Sequence, residues 1–331
     1  MVSVWLFTLA LLPAAGLAAD ASAVTNGVSV VLAVGAPGEP EYGSNFVQQA
    51  QLWLRASEQA GVAATLIGLD DASEPTDRER LRTALAAEPP DGTDPLWLVL
   101  IGHGTYDGRE ARFNLRGPDV SATDLAEWLK PVRRPLIVIN TASASAPFLN
   151  QLSGTNRMVV TATRSGSEQN FARFGSYFAR ALADPAGDLD QDGQVSLLEA
   201  FLSASAGVRE FYQTEGRLAT EHALLDDNGD GRGTPADWFR GVCVVKQADA
   251  GKPVDGARAH QVHLVPSAVE RALPPEVRQH RDALEREILR LREQKSGRDE
   301  TEYYRDLEKL LLELARLLEA NSVSKTDASP E

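Results

Sequence analysis

The sequence predicts an α/β domain, a mostly parallel sheet flanked by helices, followed by a C-terminal helical extension. Two observations set the class. Apolar runs of strand length, such as Val28–Val34 (VSVVLAV) and Leu96–Ile101 (LWLVLI), alternate with segments of helical periodicity. That alternation makes βαβ units, whose crossovers lay helices on both faces of a parallel sheet. A third observation sets the extension: beyond residue 266 the strand signal stops and leucines recur at helical spacing between charged faces. With 331 residues and 43% apolar content the chain is long enough for one such domain and an appendage.

Residues 2–19 (VSVWLFTLALLPAAGLAA) hold an apolar core of about a dozen residues, short for a membrane span and suited to a secretory leader. Gly16-Leu17-Ala18 and Ala19-Asp20-Ala21 fit the small-residue rule for cleavage. No Lys or Arg precedes Arg55, which departs from the leader pattern. Residues 1–19 are read as a signal peptide. The protein is therefore expected to be exported, periplasmic or secreted, with no stable membrane span after cleavage. A buried N-terminal helix and an uncleaved anchor are the alternatives.

The domain spans 25–245. Its first strand, Val28–Val34, ends at Gly35, Pro37 and Gly38, and a helix over Phe46–Ala60 stops at Gly61. Thr65–Leu69 is a short strand, Arg78–Ala87 a helix before Pro89-Pro90, and Leu96–Ile101 a central strand. A turn-rich insert precedes a helix over Ser121–Leu129, with Ser121 as its N-cap. Pro135–Ile139 and Met158–Ala162 are further strands, and Val208–Leu225 is expected to be helical. Residues 246–266 read as a linker, 267–320 as two antiparallel helices, and 321–331 as a disordered tail. The helical stripes are Leu284, Ile288 and Leu291, then Tyr304, Leu307, Leu311, Leu314 and Leu318. They offer a route to self-association, or they pack back on the domain. Cys243 is the only cysteine, so no intrachain disulfide can form; its apolar setting predicts a buried structural thiol. The net charge of −14 argues against a nucleic-acid partner and fits both solubility and divalent-cation binding.

In a parallel sheet the ligand crevice lies beyond the carboxyl ends of the strands, where His103 and Asn140–Ala142 fall. An imidazole there, beside the Gly104 amide, can act as general base and oxyanion donor if a nucleophile stands opposite. Three segments in order, Leu98–Gly104, Val138–Ser145 and Met158–Thr163, resemble bacterial caspase/legumain-like peptidases of clan CD, over roughly residues 25–245. The resemblance implies a caspase-like fold, with His103 at the family's catalytic histidine and Gly104 at its oxyanion glycine. It puts the family cysteine at Ala142. Alanine offers no nucleophile, so thiolate chemistry is absent on this alignment. Ser143 and Ser145 lie close by and leave a serine-based hydrolase, with His103 as base, as the rival. The resemblance also places Ser165–Asn170 on the substrate side of the crevice.

Asp188–Glu199 (DLDQDGQVSLLE) meets the EF-hand loop pattern at every position. Asp188, Asp190 and Asp192 supply oxygens, Gly193 permits the turn, Gln194 offers its carbonyl, Ser196 acts directly or through water, and Glu199 chelates. Asp226–Asp237 is a weaker copy: Asp226, Asn228, Asp230, Gly231, Arg232 (by its carbonyl) and Asp237 fit, while Gly233 and Pro235 weaken an exiting helix. Calcium is the expected cofactor, in a structural role. His222 reads as a surface ion-pair partner of Glu221 or Asp226. The expected function is a non-catalytic protein that binds a protein or peptide partner; a structural module of an envelope assembly is a further alternative.

Overall fold

The computed structural model describes residues 27–71, 73–246 and 254–321; the proposed signal peptide and the tail from 322 onward lie outside them. β1 (Ser29–Val34) leads into α1 (Pro40–Ala60), which Pro40 starts and Gly61, in a left-handed conformation at φ 69°, ends. β2 (Ala64–Ile67) precedes α2 (Asp77–Ala87), whose N-terminus is closed by a Thr76/Glu79 capping box. β3 (Leu96–Ile101) is buried along its whole length. The turn-rich insert after it is a small antiparallel sheet of β4 (Gly104–Tyr106), β5 (Ala111–Phe113) and β6 (Val120–Ser121). Ser121 caps α3 (Ala122–Trp128), as the sequence predicts.

β7 (Leu136–Asn140), α4 (Ala146–Leu152), β8 (Arg157–Thr161), α5 (Phe174–Ala181) and α6 (Leu197–Thr214) follow. Two hairpins come next, β9 (Leu224–Asp226) with β10 (Thr234–Pro235) and β11 (Phe239–Arg240) with β12 (Cys243–Val244). The C-terminal region holds α7 (Ala268–Ala272), α8 (Pro275–Glu293) and α9 (Glu300–Asn321). The seven-stranded sheet runs β10-β9-β8-β7-β3-β1-β2, parallel from β2 to β8 and antiparallel at β9 and β10. Alternate strand residues feed two cores. Leu32, Val99 and Ile139 pack toward α1, α5 and α6, while Val31, Leu98 and Val138 pack toward α2, α3 and α4. In the first core Trp53, Trp97 and Phe178 cluster with ring centroids 5.9–6.2 Å from Trp53. Each such buried side chain contributes about 1.5–3 kcal/mol. The predicted class, a mostly parallel sheet flanked by helices with a helical extension, is the one observed.

Three expectations need correction, and between two alternatives for α9 the structure favours the exposed stripe. The helix expected over Val208–Leu225 ends at Thr214, and Leu224–Asp226 is instead a strand, recruited to the open edge of β8. The part of the expected linker that is described, 254–266, is packed into the domain: Ala259 and Leu264 are buried and Leu197 N–H bonds to the Val262 carbonyl. Cys243 is half-buried rather than buried, because its strand is a two-residue hairpin rather than a member of the main sheet. In α9 the inward face is led by Tyr303, 4% exposed, whereas Tyr304, Leu311 and Leu318 point outward at 41–49% exposure. No helix among the described residues is long and apolar enough to cross a membrane.

Candidate functional site

β3 and β7 pair in parallel and in register, Val99 opposite Ile139, so the segments leaving them share one sheet edge. His103 and Ala142 both stand there. His103 is half-buried among the rings of Tyr42, Phe46 and Phe171, with centroids at 4.9, 5.1 and 6.0 Å. Its Nε2 lies 3.2 Å from the Pro37 carbonyl, which can only accept, so Nε2 carries the proton. Burial pushes the imidazole pKa below its ordinary value. The ring is neutral at physiological pH, and its proton is committed to a backbone carbonyl.

The residues opposite are committed as well. Ala142 is 1% exposed and donates its N–H to Asn140 Oδ1 at 3.1 Å. Ser143 Oγ accepts from the Gly104 N–H and donates to the Gly104 carbonyl, each at 3.1 Å. This pair of hydrogen bonds to one residue uses the hydroxyl's only proton. It also spends the Gly104 amide that the family resemblance casts as the oxyanion donor. Residue 104 must be glycine here, since a Cβ would lie 2.2 Å from the Ser143 carbonyl oxygen. Ser145 is fully buried; its Oγ accepts from the Thr163 N–H and pairs with Thr163 Oγ1, both at 3.2 Å. Between the two serines Ala144 holds a left-handed φ of 51°, fixed by its N–H bond to the Glu168 carbonyl at 2.8 Å. For a non-glycine residue this costs about 1–2 kcal/mol. Neither serine bonds to His103.

Asp188, Asp190 and Asp192 form one cluster, each offering an oxygen within 4.8 Å of the others. Asp188 accepts from the N–H groups of Asp192 and Gly193 at 3.1 and 2.9 Å, which curls the chain around its carboxylate. Ser196 caps α6 and Glu199 completes a capping box with it. Glu199 Oε1 accepts from Leu189 and Asp190 N–H, and Oε2 from Ser196 N–H and Oγ. Glu199 thus ties the two ends of the loop together but is outside the three-carboxylate cluster. The Gln194 side chain is buried, donating to Asp192 and accepting from Ser267 N–H at 3.0 Å. Sequence reasoning missed His260, whose Nε2 sits 2.8 Å from Asp190 Oδ2. Nothing local marks it, because it reaches the loop from beyond the undescribed 247–253.

The second loop repeats the opening only. Asp226 accepts from Gly229 and Gly231 N–H at 2.8 and 3.0 Å, and Asn228 and Asp230 accept from Asp230 and Arg232 N–H at 2.8 Å. Asp237, in a single turn after β10, is exposed and does not join Asp226 and Asp230 in a cluster. The loop is closed by Asp255 instead, which accepts from Asp227 and Asn228 N–H and from Thr234 Oγ1. Asp227 is buried and accepts from Gly256, Arg258 and Ala259 N–H. Burial and the neighbouring Asp227 carboxylate push Asp255 up to about 8. His222 pairs with Glu168 at 2.6 Å, not with Glu221 or Asp226. Glu221 is buried under the Arg173 and Phe174 N–H groups, which ties the segment before β9 to the start of α5.

No family model matches the chain, and no curated protein matches its sequence. Among solved structures it is similar to the Drosophila initiator caspase Dronc, at 14% identity and a TM-score of 0.43, over 62% of this chain and 81% of that one. It is also similar to a Geobacter sulfurreducens protein, at 12% identity and a TM-score of 0.39, over 60% and 92% of the two chains. Chaetomium thermophilum Raptor aligns at 15% identity with a TM-score of 0.34, over 48% of this chain and 17% of that one.

Proposed function

We propose that this chain is a non-catalytic, caspase/legumain-like protein, stabilised by calcium, that acts outside the cytoplasm by binding a peptide or protein segment. One observation carries the non-catalytic part. The His103 ring has a backbone carbonyl as its hydrogen-bond partner, a methyl group occupies the expected cysteine position, and the two nearby hydroxyls are bonded elsewhere. A serine hydrolase needs its base on the nucleophile, and here Ser143 and Ser145 would both have to abandon buried partners first. Calcium is supported by the unbroken twelve-residue pattern and by the convergence of Asp188, Asp190 and Asp192. Export is supported by the leader-like run at 2–19, and extracytoplasmic calcium would keep even a weak site filled. The outward stripe of Tyr304, Leu311 and Leu318, spaced by sevens, supports self-association through α9.

The test is an assay of the purified protein, with calcium, against a diverse peptide library. We expect no cleavage. Cleavage that disappears in His103→Ala would overturn the reading.

A further inference from the structure

A cavity of about 380 Å³ opens between α6, the segment entering β9 and the turn after β10, away from His103. Its size is that of a small-ligand pocket. Ala162, Phe174, Val208 and Tyr212, all buried, form its inner wall. His222, half-buried in the lining, is paired with Glu168; the acidic group inside is Glu221, which is 2% exposed. Its Oε2 accepts from the N–H groups of Arg173 and Phe174 at 2.8 and 2.9 Å, and its Oε1 from the Tyr212 hydroxyl at 3.2 Å. The interior therefore offers apolar contact and already holds a carboxylate, so a second anion is excluded from the depth of the pocket.

The mouth has the opposite character. Arg209 and Arg217 line it, are exposed, and form no ion pair among the described residues. Two uncommitted guanidinium groups stand out in a chain of net charge −14. Asp237 shares the rim, leaving an excess of one positive charge among these three groups, which suits a monoanion better than a polyanion. Leu218, 90% exposed, stands beside them and would rest against whatever extends outward.

We propose that this pocket binds the C-terminal residue of a peptide, its apolar side chain inward and its carboxylate on Arg209 and Arg217. Arginine is suited to this by its planar donor fork. The proposal deepens the peptide-binding function given above and rests on it.

The experiment is calorimetric titration of the full chain, with calcium, using a pentapeptide ending in leucine, its C-terminal amide, and octanoate. The free acid should bind, and the amide should bind at least about tenfold more weakly, the loss expected for charge-assisted hydrogen bonds. Arg209→Glu and Arg217→Glu should each weaken the acid by about tenfold or more. Both side chains are exposed, so the variants should melt as the parent does. Equal affinity for acid and amide, or binding untouched by both substitutions, would overturn this site while leaving peptide binding elsewhere intact. Binding of octanoate without the peptide would overturn the peptide assignment. No binding of the pentapeptide would overturn this site, and the peptide-binding function would fall with it only if a diverse peptide library titrated in the same way also showed no binding.

Discussion

The two acidic loops begin alike and finish differently. Asp188 and Asp226 each gather two backbone N–H groups onto one carboxylate, and a run of side-chain-to-backbone turns follows in both. After six residues they part. The first runs into α6, which brings Glu199 back over the loop in a capping box. The second runs through Gly233 into the two-residue β10, which holds Pro235 and does not return Asp237, and a carboxylate from a distant segment, Asp255, takes over. Side-chain-to-backbone bonds over a few residues depend on local residue types alone. Closure depends on the direction in which the next element leaves.

The largest expected effect separates the two final positions. Glu199→Ala removes four accepted hydrogen bonds at a buried site and should cost about 2–4 kcal/mol. Asp237→Ala, exposed and outside any cluster, should stay within about 0.5 kcal/mol. Chemical denaturation of both variants, in chelator, checks the contrast; equal losses would erase the distinction drawn between the loops. Next comes calcium itself. At about a hundredfold over its dissociation constant, a single site adds about 2.7 kcal/mol, or roughly 5–10 °C in melting temperature for a domain of this size. That shift should vanish in Asp188→Ala and survive in Asp237→Ala, as differential scanning fluorimetry would show.

A smaller effect concerns how the second loop is closed. The Asp255 carboxyl is raised from 3.8 to about 8 by burial and by Asp227. For an acid raised on folding, its neutral form is favoured in the native state, so stability is full below the unfolded value and falls as pH rises toward 8. Asp255→Asn, neutral at every pH, should gain on the parent as pH climbs from 4 to 8, measured by melting in chelator. A constant difference across that range would sink the assignment. The smallest effect is at His260. Its half-exposed contact with Asp190 contributes less than about 1 kcal/mol, and His260→Ala should slightly tighten calcium by freeing that oxygen. Weaker calcium binding would instead mean that His260 holds Asp190 in place for the ion.

Much of the sheet could be read from the chain. Leu96–Ile101 begins and ends where expected, and Leu136–Asn140 and Arg157–Thr161 differ from expectation by a residue. Continuous apolar runs between Pro and Gly leave little choice of state. The small sheet after His103 escaped notice, because strands of two or three residues carry no periodicity. Leu224–Asp226 escaped for a different reason: its strand state comes from the vacant edge of β8, a partner distant in sequence. At the candidate site the types His103 and Ala142 were legible and their bonds were not. That Ser143 closes on the Gly104 peptide depends on the register of β3 against β7.

What the amino-acid order alone determined is therefore local: strand and helix identity where periodicity is long, the cap at Ser121, and the curled openings of both acidic loops. Each rests on interactions among residues a few positions apart. Tertiary structure decided the rest: which serine hydroxyls are spent, which carboxylate closes the second loop, and where Arg209 and Arg217, with no ion pair among the described residues, meet an apolar hollow. Those outcomes join segments far apart in the chain, and only the packing of the sheet and its helices brings them within reach.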